Sequence, residues 1–198
     1  MTKVTCDMAV SVDGFAAGPN QSQDKPFGDG PVDRLHQWMF EQREANAAEI
    51  EAIVAARAFI MGRNMFGPGR GAWDESWKGW WGDDPPYHAP VFVLTHHPRE
   101  PVEMQGGTTF TFVTDGIESA VAQAREAAGS GDVAIAGGAA TVNQCLAAGA
   151  IDELRLHVVP LVLGVGERLF DGVGALSLEP LGVRATDLVT HLSYRVIH

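Results

Sequence analysis

The chain has 198 residues, of which 45% are hydrophobic and 20% are charged, and its formal net charge at pH 7 is -11. This length and composition predict one globular domain over residues 1–198 with a sizeable core. The negative charge argues against nucleic acid and anionic membrane surfaces as general partners, although a local basic pocket is compatible with it. No apolar run reaches the roughly 18 residues of a membrane span, and the first residues lack a secretion signal, so we expect a cytoplasmic protein.

The two cysteines do not belong to a recognisable motif. Cys6 lies in a strand-like run and Cys145 in a helix-like run, and neither is part of a CxxC pair or next to a histidine. We therefore expect buried free thiols, with no disulfide and no metal site.

Apolar patterns predict a series of buried strands separated by helices and loops. The predicted strands are residues 4–12, 58–61, 91–95, 108–113, 133–136 and 154–159, followed by two closing strands at 175–181 and 188–197. The close spacing of the last two allows an antiparallel hairpin, which parallel strands would not permit. The whole pattern predicts an α/β fold with a mostly parallel central sheet and an antiparallel C-terminal edge.

Two segments have helical periodicity outside the central part of the chain. Residues 33–56 predict two helices, or one helix that is interrupted near Asn46. Residues 117–128 predict a helix with Asp115 as its N-cap and Glu118 completing a capping box.

Residues 66–90 fit no period and contain all but one of the tryptophans, among glycines, prolines and acidic residues. They predict an ordered loop with at most a short helix, which we call the tryptophan loop. Aromatic rings in a long loop are typical of a lid or a subunit interface. The alternative is a hydrophobic cluster that only holds the loop in place.

The stretch from residue 133 to residue 170 contains the strongest functional pattern. A short strand is followed by Gly137 and Gly138, a helical run over residues 140–148 and a second strand, which predicts a right-handed βαβ unit. The first N–H groups of such a helix are free to bind a phosphate or pyrophosphate, and paired glycines let the ligand approach the backbone. A tight turn without a ligand is the alternative.

Three predicted strands end in residues that are suited to nucleotide binding. These residues are Gly62-Arg63-Asn64, Thr95-His96-His97 and Gly137-Gly138. Because ligands bind at the carboxyl ends of parallel strands, they predict a nucleotide site at one sheet edge, with Arg63 and the histidines opposite a ribose phosphate. Each signal is weak alone, since an arginine after a strand is usually a solvated helix start. The GVG at residues 164–166 lacks the context of a dinucleotide fingerprint and predicts a turn.

Several short motifs are spread over nearly the whole chain. They are Ser11–Ala16, Phe59–Arg63, Val93–Thr95, Asp152–Leu154, Pro160 and Gly164–Phe170. On these residues the chain resembles the dihydrofolate reductase-like proteins, in the branch that includes the C-terminal reductase domain of the bacterial bifunctional riboflavin-biosynthesis deaminase–reductase. The resemblance implies a three-layer dihydrofolate reductase-like fold and an NADPH-dependent reductase.

The resemblance also implies a set of NADPH-binding residues. They are Ala9, Gly14, Gly62, Arg63, Asn64, Met65, Thr95, His96, Gly137, Gly138, Ala139, Ala140 and Thr141. Ala9 would contact the nicotinamide carboxamide, and Arg63 would lie near the 2′-phosphate. Residues 137–141 would hold the pyrophosphate, with Thr95 and His96 beside the adenosine. A cis peptide bond between Gly137 and Gly138 is implied as well.

The chain departs from the family at two of these positions. The family often has Thr where this chain has Met65, so one hydroxyl contact is lost and backbone N–H groups must serve. The riboflavin reductases have Glu where this chain has Ala136, which weakens the case for their substrate.

The implied chemistry is hydride transfer from nicotinamide C4 to a C=N or C=O group of a small heterocycle, pterin- or pyrimidine-like, or of a carbonyl compound. Asp13, at the end of the first strand, is the candidate catalytic residue, acting through its position or by delivering a proton. Since Asp-Gly is a common turn pair, Asp13 caps a turn in the alternative interpretation. His157 is either a core histidine or a pocket residue, and Glu44 and Glu49 are candidates for an acid that binds the substrate.

Two other functions are compatible with the sequence. One is a nucleotide-binding protein or sensor without turnover, and the other is a structural homodimer whose cofactor site has decayed. We expect a homodimer because strand 154–159, the apolar run 160–163 and the tryptophan loop offer more apolar surface than one copy covers.

Overall fold

The computed structural model describes residues 2–197. The strands are β1 (Val4–Ser11), β2 (Phe15–Ala17), β3 (Ala58–Gly62), β4 (Pro90–Leu94), β5 (Val102–Glu103), β6 (Thr109–Val113), β7 (Val133–Gly137), β8 (Glu153–Val159), β9 (Glu167–Arg168), β10 (Ser177–Ala185) and β11 (Thr190–Ile197). The helices are α1 (Gln37–Glu41), α2 (Ala47–Ile53), α3 (Arg63–Phe66), α4 (Ile117–Ala128) and α5 (Ala139–Ala147), with 3-10 turns at Val32–Leu35 and Gln105–Gly107.

Nine strands form the central sheet in the order β10-β11-β8-β1-β7-β3-β4-β6-β5. The strands from β8 to β6 run parallel, whereas β11, β10 and β5 are antiparallel to their neighbours. This confirms the predicted mostly parallel sheet with an antiparallel C-terminal edge. The sequence did not indicate β5 or the small β2–β9 pair, because strands of two or three residues are too short for a period to show.

One face of the sheet is covered by α4 and α5. Ala120, Val121 and Ala124 of α4 and Val142 and Leu146 of α5 pack on apolar side chains of the central strands. The two cysteines are part of this layer as buried free thiols, as predicted. Burial raises the pKa of both and brings that of Cys145 to about 12, so the thiolate forms are suppressed at neutral pH.

The opposite face is covered in two parts. Helices α1 and α2 cover the half formed by β1, β8 and β11, where Leu35 and Trp38 are fully buried. The two helices are separated at Asn46, as predicted, and the buried Asn46 amide donates to the carbonyls of Trp38 and Gln42. The sheet thus lies between two layers. Among residues 2–197 no helix is long and apolar enough to cross a membrane.

The tryptophan loop covers the other half of this face, over β3, β4 and β6. Trp73, Trp77 and Trp81 pack on the buried cluster that contains Phe66 and Phe110. The indole N–H of Trp77 donates to the Phe66 carbonyl at 2.8 Å. The loop therefore covers this part of the core in the place of a helix. The structure favours a hydrophobic cluster that holds the loop in place over a mobile lid.

Arg99 holds the tryptophan loop from inside. Its side chain is 2% exposed and lies 5.1 Å from the Phe112 ring centre and 5.4 Å from that of Trp73. Its guanidinium also donates to the carbonyls of Glu75 and Trp77, at 2.9 and 2.8 Å. A buried cation that is paired and stacked in this way fixes the path of a loop that has no regular hydrogen bonds.

The predicted cap of α4 is wrong. The N-cap residue is Gly116 at φ 93, and no side chain caps this helix. Because that φ is in a region that favours glycine, Gly116 makes the turn into the helix, and Asp115 lies one residue too early to act as the cap.

The predicted basis of the homodimer is also wrong in part. Strand β8 pairs with both β1 and β11 and is an interior strand, so residues 154–159 offer no free edge. The most exposed apolar side chains include Val162, at 69%, and Val183 of β10, at 73%.

We predict that Gly67→Ala destabilises the protein because it displaces Trp77. Gly67 has extended backbone, φ -171 and ψ 157, which any residue adopts, but a Cβ there would lie 2.5 Å from Trp77 Nε1. We expect a loss of about 1–3 kcal/mol in the free energy of unfolding, measured by urea titration, with a change in tryptophan emission.

Gly69→Ala is the matched control in the same loop, since a Cβ at Gly69 would meet only Arg63 Nη2, at 3.9 Å, which is an ordinary contact. It should change the free energy of unfolding by less than about 0.5 kcal/mol. Equal unfolding midpoints for the two variants would contradict the pinned position of Trp77.

Candidate nucleotide site

The carboxyl ends of three neighbouring strands meet at one edge of the sheet. β7, β3 and β4 are adjacent and parallel, and they are followed by Gly137-Gly138, Gly62-Arg63 and Thr95, respectively. The structure therefore brings together the three predicted strand ends. The end of β1, with Asp13, lies next to β7 on the other side.

The N-terminus of α5 lies at the centre of this edge. Gly138 is its N-cap, and no side chain caps the helix. The N–H groups of Thr141 and Val142 donate to the Gly138 carbonyl at 3.0 and 3.1 Å. The N–H groups of Ala139 and Ala140, at the start of the helix, have no intrahelical acceptor. A Cβ on Gly138 would meet nothing within 4 Å, so there is open space beside this N-cap residue.

Two glycines allow the backbone to pass close to α5. A Cβ on Gly62 would overlap the Thr141 hydroxyl, and a Cβ on Gly137 would lie 3.2 Å from the Met65 sulfur. Gly137 has φ 123, and the peptide bond to Gly138 is cis, as predicted. Thr141 is buried and Met65 is partly buried.

Arg63 also contacts the tryptophan loop, which the sequence did not indicate. Its guanidinium lies 3.9 Å from the Trp73 ring centre and donates to the carbonyls of Gly71 and Ala72, at 2.6 and 3.4 Å. Burial, and then the nearby charge of Arg70, lower the pKa of Arg63. Arg63 and Arg70 therefore form a region of positive charge beside the end of β3.

The other predicted cofactor residues lie around the same edge. Thr95 is buried, and its hydroxyl accepts the His97 N–H at 3.1 Å, which shapes the turn after β4. His96 is exposed and Asn64 is partly buried in α3. Ala9 is partly exposed on β1. Gly14, at φ 86, is in the turn after β1, where its carbonyl accepts the Leu169 N–H at 2.9 Å.

The carboxylate of Asp13 is held by the loop that follows β8. It accepts the Ser11 hydroxyl at 2.6 Å and the N–H groups of Leu163 and Gly164 at 3.1 and 2.7 Å. The Ser11 hydrogen bond, as the largest cause, and those N–H groups lower the pKa of Asp13 to about 2. Asp13 is therefore ionised at neutral pH and has no proton to deliver, and its geometry fits the turn-capping alternative.

The structure shows a buried group of polar side chains, of which the sequence indicated only His157 as a possible pocket residue. Asp7, His157, His191 and Asn46 are joined by hydrogen bonds under α1 and α2. Asp7 and His157 each interrupt an apolar strand, and this is the sequence feature that could have indicated a buried polar group. Glu49 is bound by Arg184, at 2.8 Å from its Nε, and so is not free to bind a substrate.

Two surface cavities, of about 560 and 740 Å³, lie away from these strand ends. One is lined by residues 40–45, Thr186 and Asp187, and the other by residues near Lys3 and Arg195. Neither contains Asp13 or a predicted cofactor-binding residue, although Glu44, one of the two candidates for a substrate-binding acid, lines the first. Free backbone donors and positive charge, rather than enclosed volume, are what bind a pyrophosphate, and for that reason we place the site at the strand ends. Among residues 2–197 no group of three or more His, Cys, Asp or Glu residues could hold a metal ion.

Comparisons with known proteins show the family of the chain. Residues 2–192 match the model of the RibD C-terminal domain, and the chain belongs to that family. No curated protein matches the chain.

Several solved structures share the fold. A Shewanella sp. PV-4 protein assigned to riboflavin biosynthesis superposes with a TM-score of 0.69 at 21% identity, over 100% of both chains. Acinetobacter baumannii RibD gives 0.59 at 18% identity, over 100% of this chain and 59% of that chain. A pyrimidine reductase-like protein from Corynebacterium diphtheriae gives 0.59 at 14% identity, over 100% and 92%. The fold is therefore the dihydrofolate reductase-like fold that the resemblance implied.

We predict that Asp13 stabilises the fold only while it is ionised. Its pKa falls from 3.8 to about 2 on folding, so its contribution is present above 3.8 and is lost as the pH falls towards 2. Asp13→Asn should therefore lower the free energy of unfolding at about pH 6, and the gap to the wild type should narrow at about pH 3. Urea titrations at the two pH values measure this, and a gap that is independent of pH would contradict it.

Proposed function

We propose that the protein is an NADPH-dependent reductase. It transfers a hydride to a C=N or C=O group of a small heterocyclic substrate, pyrimidine- or pterin-like, or of a carbonyl compound. The observation that carries the proposal is the N-terminus of α5, which no side chain caps and which has open space beside Gly138 at the ends of parallel strands. The chain also belongs to the RibD C-terminal domain family, and a riboflavin biosynthesis reductase shares its fold. A RibD-type reductase of the riboflavin pathway is the nearest functional class, and the family match supports it.

The residues at this edge fit NADPH. The first N–H groups of α5 and the space beside Gly138 suit the pyrophosphate. Arg63 and Arg70 supply positive charge for the 2′-phosphate, since Arg63 uses only part of its donor set on the tryptophan loop. Ala9 lies where β1 is partly exposed and would contact the nicotinamide. The cofactor, when bound, supplies the hydride.

The protein contributes position and charge to this reaction. The ionised Asp13 fixes the loop after β8 against the end of β1, which shapes the site around the nicotinamide. Arg63 connects the cofactor site to the tryptophan loop through Trp73, so phosphate binding and the position of that loop are linked. Ala136 stands where the resemblance implies a Glu in the riboflavin reductases, and we propose a substrate that differs from theirs at this contact.

A nucleotide-binding protein without turnover is the second candidate. The two functions differ in one measurement, the loss of dihydronicotinamide absorbance when the protein, NADPH and pyrimidine, pterin or carbonyl compounds are mixed. Binding of NADPH without this loss would support the second candidate.

We also propose that the protein acts on free small molecules in the cytoplasm.

We predict that Ala140→Asp weakens NADPH binding without loss of folding. Ala140 is exposed in the first turn of α5, where a carboxylate favours the helix but repels a pyrophosphate. We expect the Kd for NADPH, measured by calorimetric titration, to rise about tenfold or more, which corresponds to about 1.4 kcal/mol.

Ala147→Asp is the matched control, because Ala147 is exposed in the last turn of the same helix. It adds the same charge away from the site and should leave the Kd unchanged. Equal effects of the two variants would mean that the N-terminus of α5 does not hold the pyrophosphate.

We further propose a homodimer that forms through β10. This strand ends the sheet, and all but one of its residues are exposed, including Leu181 and Val183. Because Pro180 has no N–H to donate, the contact would involve side chains more than strand pairing. Sedimentation velocity at micromolar concentration should show a dimer, and Val183→Lys should convert it to a monomer while Val162→Lys does not. A wild-type monomer would contradict the proposal.

A further inference from the structure

The half of the sheet face under α1 and α2 contains a buried polar network in an otherwise apolar layer. His157 and His191 are 2% and 5% exposed, Asn46 is fully buried, and the Asp7 side chain is 7% exposed. The Trp38 ring covers both histidines, at 4.8 and 5.1 Å between ring centres. Buried polar groups are costly unless each is paired, so the pairing here defines where the protons are.

The network is a single chain of hydrogen bonds. Asn46 Oδ1 lies 2.9 Å from His191 Nε2, and His191 Nδ1 lies 2.8 Å from His157 Nδ1. His157 Nε2 then lies 3.3 Å from Asp7 Oδ1. The chain connects the junction of α1 and α2 to β11, β8 and β1.

The Asn46 amide fixes the first proton. Both of its N–H groups are donated, to the carbonyls of Trp38 and Gln42 at 3.2 and 2.9 Å, so its oxygen must face His191. An amide oxygen only accepts hydrogen bonds, and therefore His191 Nε2 carries a proton.

The second proton follows from the contact between the two histidines. A contact of 2.8 Å between two Nδ1 atoms requires one proton between them. Burial, and then the nearby His157, lower the pKa of His191 to about 4, so His191 is neutral and its Nδ1 is the acceptor. His157 Nδ1 is consequently the donor.

The other ring nitrogen of His157, Nε2, contacts the Asp7 carboxyl group. If His157 were neutral, its Nε2 lone pair would face the Asp7 oxygen and repel it, unless Asp7 were protonated. In either case one proton is shared between Asp7 and His157. Arg155 Nη1 lies 3.3 Å from Asp7 Oδ2 and so holds the other oxygen of this carboxyl group.

The other charged groups near the network are few. His36, at the start of α1, interacts with His157, and burial lowers its pKa to about 4, so it is neutral. Glu49 of α2 and Arg184 of β10 act on His191 with opposite signs, and they are paired with each other. Asp7 is therefore the group that shares a proton with His157.

The shared proton lies on the same face of β1 as Ala9, the residue that the resemblance places at the nicotinamide. Ala9, which would contact the nicotinamide, is the direct cross-strand neighbour of His157 in the pairing of β1 with β8. Asp7 and Ala9 are two residues apart on β1 and so lie on the same face of the sheet.

We propose that Asp7 and His157 form the proton-supplying pair of the reductase, a role that rests on the proposed function. NADPH, held at the N-terminus of α5 and beside Ala9, would supply a hydride, which is two electrons and one hydrogen, to the substrate carbon as the C=N or C=O π bond breaks. The pair gives the proton to the substrate nitrogen or oxygen, with Asp7 passing it from His157 Nε2. The pair is left as neutral His157 and ionised Asp7, and water restores the proton. His191 and Asn46 are positioning residues, which hold His157 in the required tautomer.

The shared proton can be tested on the protein alone, without a substrate. Nitrogen-15 NMR of labelled histidine should show, at neutral pH, His191 as neutral with its proton on Nε2. His157 should have one proton on Nδ1 and a second at Nε2 that is shared with Asp7. Asp7→Asn should convert His157 to a neutral ring. A neutral His157 beside an ionised Asp7 in the wild type, identified by the carboxyl carbon-13 shift, would overturn the proposal.

The role in turnover is tested by kinetics with NADPH. Asp7→Asn and His157→Gln should each lower kcat about 100-fold or more, with little change in the Kd for NADPH, and should remove the fall in kcat at high pH. His88→Asn is the control, because His88 is exposed on the tryptophan loop and should keep the wild-type rate.

An unchanged kcat in both variants would overturn proton delivery by the pair. A wild-type protein that binds NADPH but reduces none of the substrates would instead refute the reductase function and with it the role of the pair, while the NMR spectrum still decides where the proton is.

Discussion

The end of β3 lies so close to the first turn of α5 that a side chain at position 62 would overlap the Thr141 hydroxyl. This approach of strand and helix is the constraint on which the site depends. It fixes the N-terminus of α5 above the ends of β3 and β7, with open space beside Gly138. Parallel pairing of β7, β3 and β4 then places the remaining strand ends around the same point.

Two parts of the chain on the opposite face of the sheet flank the proposed site: helices α1 and α2, and the tryptophan loop. Helices α1 and α2 lie over β8 and β11, and the tryptophan loop lies over β3, β4 and β6. Between them β1 is partly exposed at Ala9, beside the edge where Arg63 and Arg70 supply charge. Arg99 and the contact between Arg63 and Trp73 hold the tryptophan loop in place. The Asn46 amide holds helices α1 and α2 in place. The same contacts that stabilise the fold therefore determine the width of the site.

The sequence predicted the strands, the closing hairpin and the three strand ends because each depends on local periodicity and glycine placement. It did not predict that Asp13 is held by N–H groups of the loop after β8, since residues 13 and 163 come together only in the folded chain. It missed the cap of α4 because the backbone of Gly116 makes the turn that a side chain was expected to make. The proton network was hidden for a similar reason: Asp7, Asn46, His157 and His191 belong to four separate elements or junctions.

The most direct test of the account is a crystal structure of the protein with NADPH. The account predicts the pyrophosphate within hydrogen-bond distance of the N–H groups of Ala139 and Ala140, with the 2′-phosphate near Arg63 and the nicotinamide beside Ala9. Density for the dinucleotide at another place, or no density there at a saturating concentration of NADPH, would contradict it.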